Sequence, residues 1–568
     1  MAKKSSSPNH RSGNDPINIS PRELVVKVRP DVGFRASREA GPSATATDVS
    51  SVAKILQDYN AVMEPLFGLS EERIQSRATT AEASVAQAQE MATFYSVQAE
   101  DSTLDDLAES MRKLEGAVEA AYIKPPSGEP VAPEVEEEAI NDMEPLLDQP
   151  PVNTPDFTQS QIYLNPAPEG IDARYAWTIG GGRGAGVRII DCEWGWNFSH
   201  EDLGVKKIGV VYGGNSSNNN HGTAVLGEYS GDVNGFGITG ICPDAIAGAS
   251  SFVSSPSSAR TIREAADRLS SGDIILLEIH RGGPNYPGGN TQFGFIAIEW
   301  WPDDYAAIRY AVNRGIIVVE AAGNGSQNLD AAVYNTRPNG FPASWRNPFN
   351  PANPTSGAVV VGAGAPPPGT HGRNHGPDRS RLGFSNYGAR VDCQGWGREV
   401  TSTGYGNLQG GGSIHRNEWY TETFSGTSSA SPIVVGALGC IQGILKAQGS
   451  PLLTPSRAIS LLRSTGSPQQ DAPGRPATQR IGTRPNLRQL IPRVSKIWKN
   501  NVSVTRVYTS HDSQNAWALI GGVGWRRVET TSKDGVTNMF MLFCEAVANG
   551  KKVDVYLDGS KVYRAVLH

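Results

Sequence analysis

The chain has 568 residues, which is too long for one domain, and its net charge of −6 argues against a nucleic-acid partner. Hydrophobic residues make up 38% of it, as in globular proteins, and no uninterrupted run of 18 apolar residues predicts a membrane span. Its five cysteines form no C-x-x-C pair, and the polar N-terminus lacks the apolar core of a secretory signal. We therefore expect mostly reduced thiols, with one disulfide as the alternative, and a cytoplasmic protein, with non-classical export as the alternative.

The first part of the chain predicts a small folded domain between two polar segments. Residues 1–21 are rich in Ser, Asn, Lys and Arg, which is typical of a disordered tail. Between residues 22 and 124, three strand patterns alternate with two stretches of apolar residues at helical spacing. This order predicts an α+β domain of the ferredoxin-like type. Residues 125–157 carry many prolines and an acidic run, which predicts a solvated linker.

Beyond this linker, four polar side chains stand at the ends of apolar elements. Asp191 ends a short apolar strand, and His221 opens an apolar helix. Asn324 follows residues 317–322, Ile-Val-Val-Glu-Ala-Ala, which predict a buried strand. Ser428 lies in the stretch Phe-Ser-Gly-Thr-Ser-Ser-Ala-Ser-Pro, directly before a long apolar helix. Acid, base and nucleophile thus occur in the order Asp, His, Ser, each beside small residues.

These motifs resemble the subtilisin-like serine peptidases, the subtilases, over roughly residues 170–490. The resemblance implies that Asp191, His221 and Ser428 form a catalytic triad, in which His221 takes the serine proton and Asp191 orients the imidazole. It also implies that the Asn324 amide and the Ser428 backbone N–H stabilise the oxyanion.

The same resemblance implies a fold and a domain order. We expect an α/β catalytic domain over residues 158–493, with a parallel sheet covered by helices on both faces. The domain of residues 22–124 is similar in position and pattern to the inhibitory pro-domain of many subtilases. An unrelated N-terminal binding domain is the alternative.

Substrate contacts are expected around two glycine-containing stretches. His280, Arg281 and Gly282 stand where the family usually has Ser-Leu-Gly, and Gly323 precedes the oxyanion amide. The backbone role of these residues can survive the substitutions, whereas the usual side-chain preference is in doubt. No cofactor is required; a structural calcium ion at Asp202 is a secondary expectation from a family-like turn.

The last part of the chain has a different pattern. Residues 501–568 combine four strand patterns with one short helix pattern, residues 538–548. They predict a small β-rich module, a barrel of the OB type being one form, and its function is not readable from the sequence.

The sequence as a whole indicates a serine endopeptidase made as a self-inhibited zymogen. It would hydrolyse protein or peptide substrates through an acyl-enzyme on Ser428, with its own pro-domain as inhibitor and with no nucleic acid or membrane partner. One alternative is an inactive subtilase-shaped protein whose groove only binds partners. Another keeps the enzyme but makes it an intracellular processor of one target protein.

Overall fold

A computed structural model describes residues 18–37, 41–43, 50–68, 82–131, 153–512, 514–558 and 561–568. Most of the predicted tail, residues 1–17, and the acidic part of the predicted linker, residues 132–152, lie outside the described residues.

The N-terminal unit is a four-stranded antiparallel sheet with helices, in the order β5-β6-β2-β7. Alternating apolar side chains of the strands pack against helices α1 and α3, because each of these helices buries one face. The elements are β1 (Ile19–Ser20), β2 (Glu23–Val28), β3 (Arg35–Ser37), β4 (Gly41–Ser43), α1 (Ser50–Asp58), β5 (Val62–Pro65), α2 (Glu82–Met91), β6 (Phe94–Gln98), α3 (Leu104–Arg112), β7 (Val118–Lys124) and β8 (Ser127–Gly128).

The central unit is built on a seven-stranded parallel sheet, which confirms the expected α/β fold. The strand order is β10-β11-β9-β12-β15-β16-β17. Two of its central strands, Ile274–Leu277 and Val359–Gly364, are apolar throughout and buried, because helices cover both faces. The main elements are α4 (Ala173–Ala176), β9 (Arg188–Glu193), β10 (Lys207–Tyr212), α5 (Asn220–Ser230), β11 (Ile246–Ser251), α6 (Ser258–Asp267), β12 (Ile274–Leu277), β13 (His280–Gly282), β14 (Phe295–Ala297), α7 (Pro302–Asn313), β15 (Ile317–Ala321), β16 (Val359–Gly364), β17 (Cys393–Trp396), β18 (Val400–Thr403), β19 (Tyr420–Phe424), α8 (Thr427–Ala447), α9 (Pro455–Ser464) and α10 (Leu487–Leu490).

Helix α8 runs through the centre of this unit. Its length and mean hydropathy would suit a membrane span, but its apolar stretch is wholly buried in the protein core. A helix that is apolar on all sides is expected where packing surrounds it. All five cysteines are free, and Cys192, Cys242, Cys393 and Cys440 are buried.

The C-terminal unit is a closed five-stranded barrel with the order β20-β21-β22-β24-β23. Barrel closure leaves no unpaired sheet edge. Its elements are β20 (Lys496–Thr509), β21 (Ala516–Ile520), β22 (Gly524–Val528), α11 (Lys533–Ala548), β23 (Lys552–Asp558) and β24 (Lys561–Leu567). Helix α11 begins five residues before the predicted helix, where the Ser532 hydroxyl accepts a hydrogen bond from the Gly535 N–H at 3.1 Å.

Candidate active site

The proposed base, nucleophile and oxyanion amide come from helix starts and a loop beside the parallel sheet. His221 is the second residue of α5, and Ser428 is the second residue of α8. Asn324 lies three residues beyond β15. All three side chains are buried. Helix N-termini carry free N–H groups and a partial positive charge, so this arrangement can hold a developing anion near Ser428.

The carboxylate that contacts His221 belongs to Glu193 and not, as expected, to Asp191. His221 Nδ1 lies 2.6 Å from Glu193 Oε2. Asp191 instead accepts a hydrogen bond from the Trp196 indole N–H, 2.7 Å from its Oδ2. The expected contact of Asp191 with the imidazole is therefore corrected to a contact of Glu193.

The strand geometry explains why the longer side chain is the partner. Asp191 and Glu193 are two residues apart on β9, so their side chains leave the same face of the sheet. Glu193 is the last residue of β9 and lies beside the start of α5. Gly222 makes room for it, because a Cβ atom there would lie 2.5 Å from Glu193 Oε1. The signal in the sequence was Glu193, a second carboxylate two residues after Asp191. The resembled family commonly has glycine at the position of Glu193.

The state of His221 suits a general base. Burial lowers the pKa of the imidazole, although Glu129 and Asp191 act in the opposite direction. The ring is therefore neutral near neutral pH. Within the described part of the chain, His221 Nε2 has no hydrogen-bond partner. Since Nδ1 faces Glu193, Nε2 is the free atom that can accept a proton.

The Asn324 amide is held in one orientation. Its Oδ1 accepts hydrogen bonds from the Thr427 N–H at 3.0 Å and from the Thr427 hydroxyl at 2.9 Å. Its Nδ2 is thereby turned the other way, and donates to the carbonyl oxygen of Pro130 at 2.5 Å. Gly323 before it has φ +93°, a conformation that side chains disfavour.

A segment of the chain itself occupies the site. The Ser428 hydroxyl donates to the same Pro130 carbonyl oxygen at 2.9 Å, and Val131 pairs with Gly426 in an antiparallel bridge. The Pro130 carbonyl thus contacts both the candidate nucleophile and the candidate oxyanion donor. Part of the predicted solvated linker therefore lies in the cleft.

Strand pairing holds this segment on both edges. Strand β8 pairs antiparallel with β13, with Gly128 opposite His280 and Ser127 opposite Arg281. Its other edge pairs with β1, at Ile19 and Ser20. An extended peptide that adds to an exposed strand edge gains main-chain hydrogen bonds, which compensates for ordering a proline-rich segment.

The predicted substrate-binding residues line the segment in different ways. The backbone of His280, Arg281 and Gly282 forms β13, and the Gly282 N–H donates to the Pro126 carbonyl at 3.3 Å. His280 Nδ1 accepts from the Asn324 N–H at 3.2 Å, and burial lowers its pKa to about 3, so this ring is neutral.

Arg281 belongs to a buried ionic cluster that joins the N-terminal unit to the central unit. Its guanidinium lies 2.5 Å from Glu23 on β2. Lys124, the last residue of β7, contacts Glu23 at 3.0 Å, Asp303 at 2.6 Å and Asp304 at 3.0 Å. Burial opposes the charge on Lys124, but these carboxylates raise its pKa above the usual range. The cluster anchors β7 directly before the segment that enters the cleft.

Asn18 forms hydrogen bonds with the segment that occupies the cleft. Its Nδ2 donates to Glu129 Oε1 at 2.5 Å and to the Asn218 carbonyl at 2.8 Å. Its Oδ1 accepts from the Ser216 hydroxyl at 2.9 Å. Asn18 therefore joins the residue before Pro130 to the loop that leads into His221. Sequence reasoning missed this contact because residues 1–21 predict a tail.

The surroundings of Asp202 do not fit a calcium ion. Its Oδ2 accepts from the Ile238 N–H at 2.7 Å and the Tyr420 hydroxyl at 2.9 Å, and its Oδ1 accepts from Asn234 at 2.5 Å. Burial raises its pKa to about 7. Hydrogen-bond donors thus surround a carboxyl group that a cation would need ionised and accessible.

The chain is similar to known proteins over part of its length. A profile described as the Subtilase family matches residues 205–480. The extracellular serine proteinase of Thermus sp. (strain Rt41A) is 28% identical over 308 residues, covering 52% of this chain and 58% of that protein. Thermitase of Thermoactinomyces vulgaris is 29% identical over 312 residues, covering 52% and 86%. The solved structure of fervidolysin from Fervidobacterium pennivorans, a keratinolytic enzyme related to subtilisin, has a TM-score of 0.46 at 15% identity, covering 91% of this chain and 70% of that one.

The parallel sheet and the site beside it have the subtilisin-like fold. Residues 205–480 match the Subtilase family model, and the chain covers 58% of the length of the Thermus relative. The matched residues contain His221, Asn324 and Ser428, but they begin after β9. Strand β9, which carries Asp191 and Glu193, therefore lies outside the matched region.

Proposed function

We propose that the chain is a serine endopeptidase that is made as a self-inhibited zymogen. Ser428 is the nucleophile, His221 the general base and acid, and Glu193 the carboxylate that orients His221. Asn324 Nδ2 and the Ser428 N–H form the oxyanion hole. The observation that carries the proposal is the Pro130 carbonyl oxygen, which receives hydrogen bonds from Ser428 Oγ at 2.9 Å and from Asn324 Nδ2 at 2.5 Å.

The reaction begins when the Ser428 hydroxyl turns its hydrogen from Pro130 to His221 Nε2. Oγ attacks the carbonyl carbon while His221 takes the proton, and the negative oxygen gains stronger hydrogen bonds from the oxyanion donors. Collapse breaks the bond to the next residue, whose amine receives the proton from His221. Water then releases the acyl group by the same steps in reverse.

The first substrate in this scheme is the chain itself, and the scissile bond is Pro130–Val131. Ser127, Gly128 and Glu129 fill the positions that precede the cleaved bond. The residues before the cut remain bound after cleavage through the Lys124 cluster and the two strand pairings. The contact of Pro130 with Ser428 supports inhibition by the chain's own N-terminal part, since this segment covers the nucleophile.

Labelling with a serine-directed fluorophosphonate tests the enzyme against the alternative of a binding protein. After incubation that permits self-processing, we expect the wild type to be labelled at Ser428. Ser428→Ala should not react, and His221→Ala should react far more slowly. Ser429→Ala is the matched control, because Ser429 donates to the Trp396 carbonyl and packs in the same helix. Equal labelling of wild type and Ser428→Ala, or none in either, would contradict the proposal.

A further inference from the structure

Two carboxyl groups, not one, lie behind His221. Asp191 and Glu193 share one face of β9 and are wholly buried. Each uses one oxygen for a partner already described: Trp196 for Asp191 and His221 for Glu193. Among the residues that the structure describes, no N–H or hydroxyl donor reaches the remaining oxygens, Asp191 Oδ1 and Glu193 Oε1. The two side chains are neighbours on that strand face, and each acts on the pKa of the other.

Two ionised carboxylates side by side would be unfavourable at this buried position. Burial penalises each charge, and the proximity of the two adds repulsion. Among the described residues, the titratable group that acts on the pair and can become positive is the imidazole of His221. The other groups that interact with the pair are acidic or neutral: Glu129 of the cleft segment, Cys192 on β9, Tyr229 on α5 and Glu278 after β12. One proton shared by the pair removes the repulsion and supplies the missing donor.

The contacts of Asp191 Oδ2 and Glu193 Oε2 indicate which of the two carboxyl groups holds the shared proton. Trp196 donates to Asp191 Oδ2, which therefore acts as the carbonyl oxygen and leaves Oδ1 to carry hydrogen. In the proposed mechanism His221 Nε2 takes the serine proton, so Nδ1 carries hydrogen and Glu193 accepts from it. Burial raises the pKa of both groups, while their mutual hydrogen bond raises that of Asp191 further and lowers that of Glu193.

We propose that Asp191 is a protonated positioning residue that donates a hydrogen bond to Glu193 Oε1 and thereby presents Glu193 Oε2 to His221. The inference rests on the proposed function, since it assigns a task to Asp191 within that site. The orienting chain then runs from Trp196 through Asp191 and Glu193 to His221. Trp196 is itself fixed by Asn215, which accepts from its N–H at 2.8 Å and donates to its carbonyl at 2.9 Å.

Asp191→Asn is the decisive variant. The asparagine amide can donate to Glu193 and its oxygen can still accept from Trp196, so we expect turnover within about threefold of the wild type. Asp191→Ala removes the donor, and we expect a loss of about a hundredfold in turnover with little change in KM. Glu193→Gln should lose about 10⁴-fold, the effect of such an amide where a carboxylate is needed. Melting temperature on each sample separates these effects from misfolding.

The pH profile adds a readout that packing alone would not move. Wild-type turnover should fall as pH rises through the raised pKa of Asp191, because the neutral acid is the working form. Asp191→Asn has no such proton and should keep its activity at alkaline pH.

Infrared spectroscopy on the uncleaved Ser428→Ala protein tests the proton without any activity. The difference between Ser428→Ala and Ser428→Ala/Asp191→Asn should contain the C=O band of a protonated carboxyl group. Absence of that band, or an Asp191→Asn loss as large as that of Glu193→Gln, would overturn the inference. Both outcomes differ from failure of the proposed function, in which Ser428→Ala would retain activity.

Discussion

Thr427 fixes the orientation of the Asn324 side chain by donating to its Oδ1 from both the backbone N–H at 3.0 Å and the hydroxyl at 2.9 Å. An amide whose oxygen is held in this way can present only its NH₂ group to the cleft. The residue before the nucleophile thus sets the geometry of the oxyanion donor. Preorganisation of this kind costs no reorientation at the moment of reaction.

Asn324→Ala should slow the chemical step far more than it weakens substrate binding. The Asn324 amide bonds more strongly to an oxyanion than to a neutral carbonyl, so its effect belongs to the transition state. We expect turnover on a Ser-Gly-Glu-Pro-Val peptide to fall about 10²–10³-fold, the magnitude known for subtilisin, with KM nearly unchanged. Thr427→Val keeps the N–H donor and should show a smaller loss. A lower melting temperature with normal turnover per folded molecule would limit Asn324 to a structural role.

Asn18→Ala should shorten the time for which the cleaved N-terminal fragment inhibits the enzyme. The variant removes hydrogen bonds to the Glu129 carboxylate and to the loop before His221. We expect dissociation about tenfold faster, from the value of a hydrogen bond to a charged group. The measurement is the lag before peptide hydrolysis appears in freshly processed full-length protein.

Lys54→Ala is the control for this lag, since Lys54 pairs only with the exposed Asp58 among the described residues. It should leave the lag unchanged. An unaltered lag in Asn18→Ala would mean that strand pairing alone retains the fragment.

Lys124→Met should destabilise the zymogen strongly. The variant leaves Glu23, Asp303 and Asp304 buried without their shared cation. Breaking one partner of a buried ionic cluster costs about 3–5 kcal/mol in the free energy of unfolding. Denaturant unfolding of the uncleaved Ser428→Ala protein measures it, because self-processing cannot then confuse the signal.

The double variant Lys124→Met/Asp303→Asn tests the cause of that loss. Removing a charge from each side should recover part of the stability, whereas simple loss of packing would make the two effects add. Additivity would therefore contradict an ionic role for Lys124.

The sequence predicts the central fold well, because it depends on local patterns, whereas the catalytic roles of His221, Asn324 and Ser428 stay predictions. The apolar run of β12 and the mostly apolar run of β15 indicate strands buried on both faces, and the structure has both in the parallel sheet. His221, Asn324 and Ser428 stand in small-residue motifs at the ends of such elements. These motifs determine the backbone geometry around each side chain.

The acid and the occupied cleft could not be predicted in the same way. Asp191 and Glu193 lie on one strand face, and only the position of α5 decides which carboxylate reaches His221. Residues 125–131 have the prolines of a solvated linker, yet Ser127 and Gly128 among them pair as a strand with the edge of β13. Both outcomes depend on tertiary contacts between segments far apart in the chain.

Intact-mass measurement of purified protein tests the central claim most directly. In the wild type we expect cleavage between Pro130 and Val131, which yields an N-terminal fragment ending at Pro130 and a second fragment that begins with Val131. Ser428→Ala should remain full length under the same conditions, because it lacks the hydroxyl that lies 2.9 Å from the Pro130 carbonyl oxygen. The same cut in both proteins, or an uncut wild type that nevertheless hydrolyses peptides, would contradict the account.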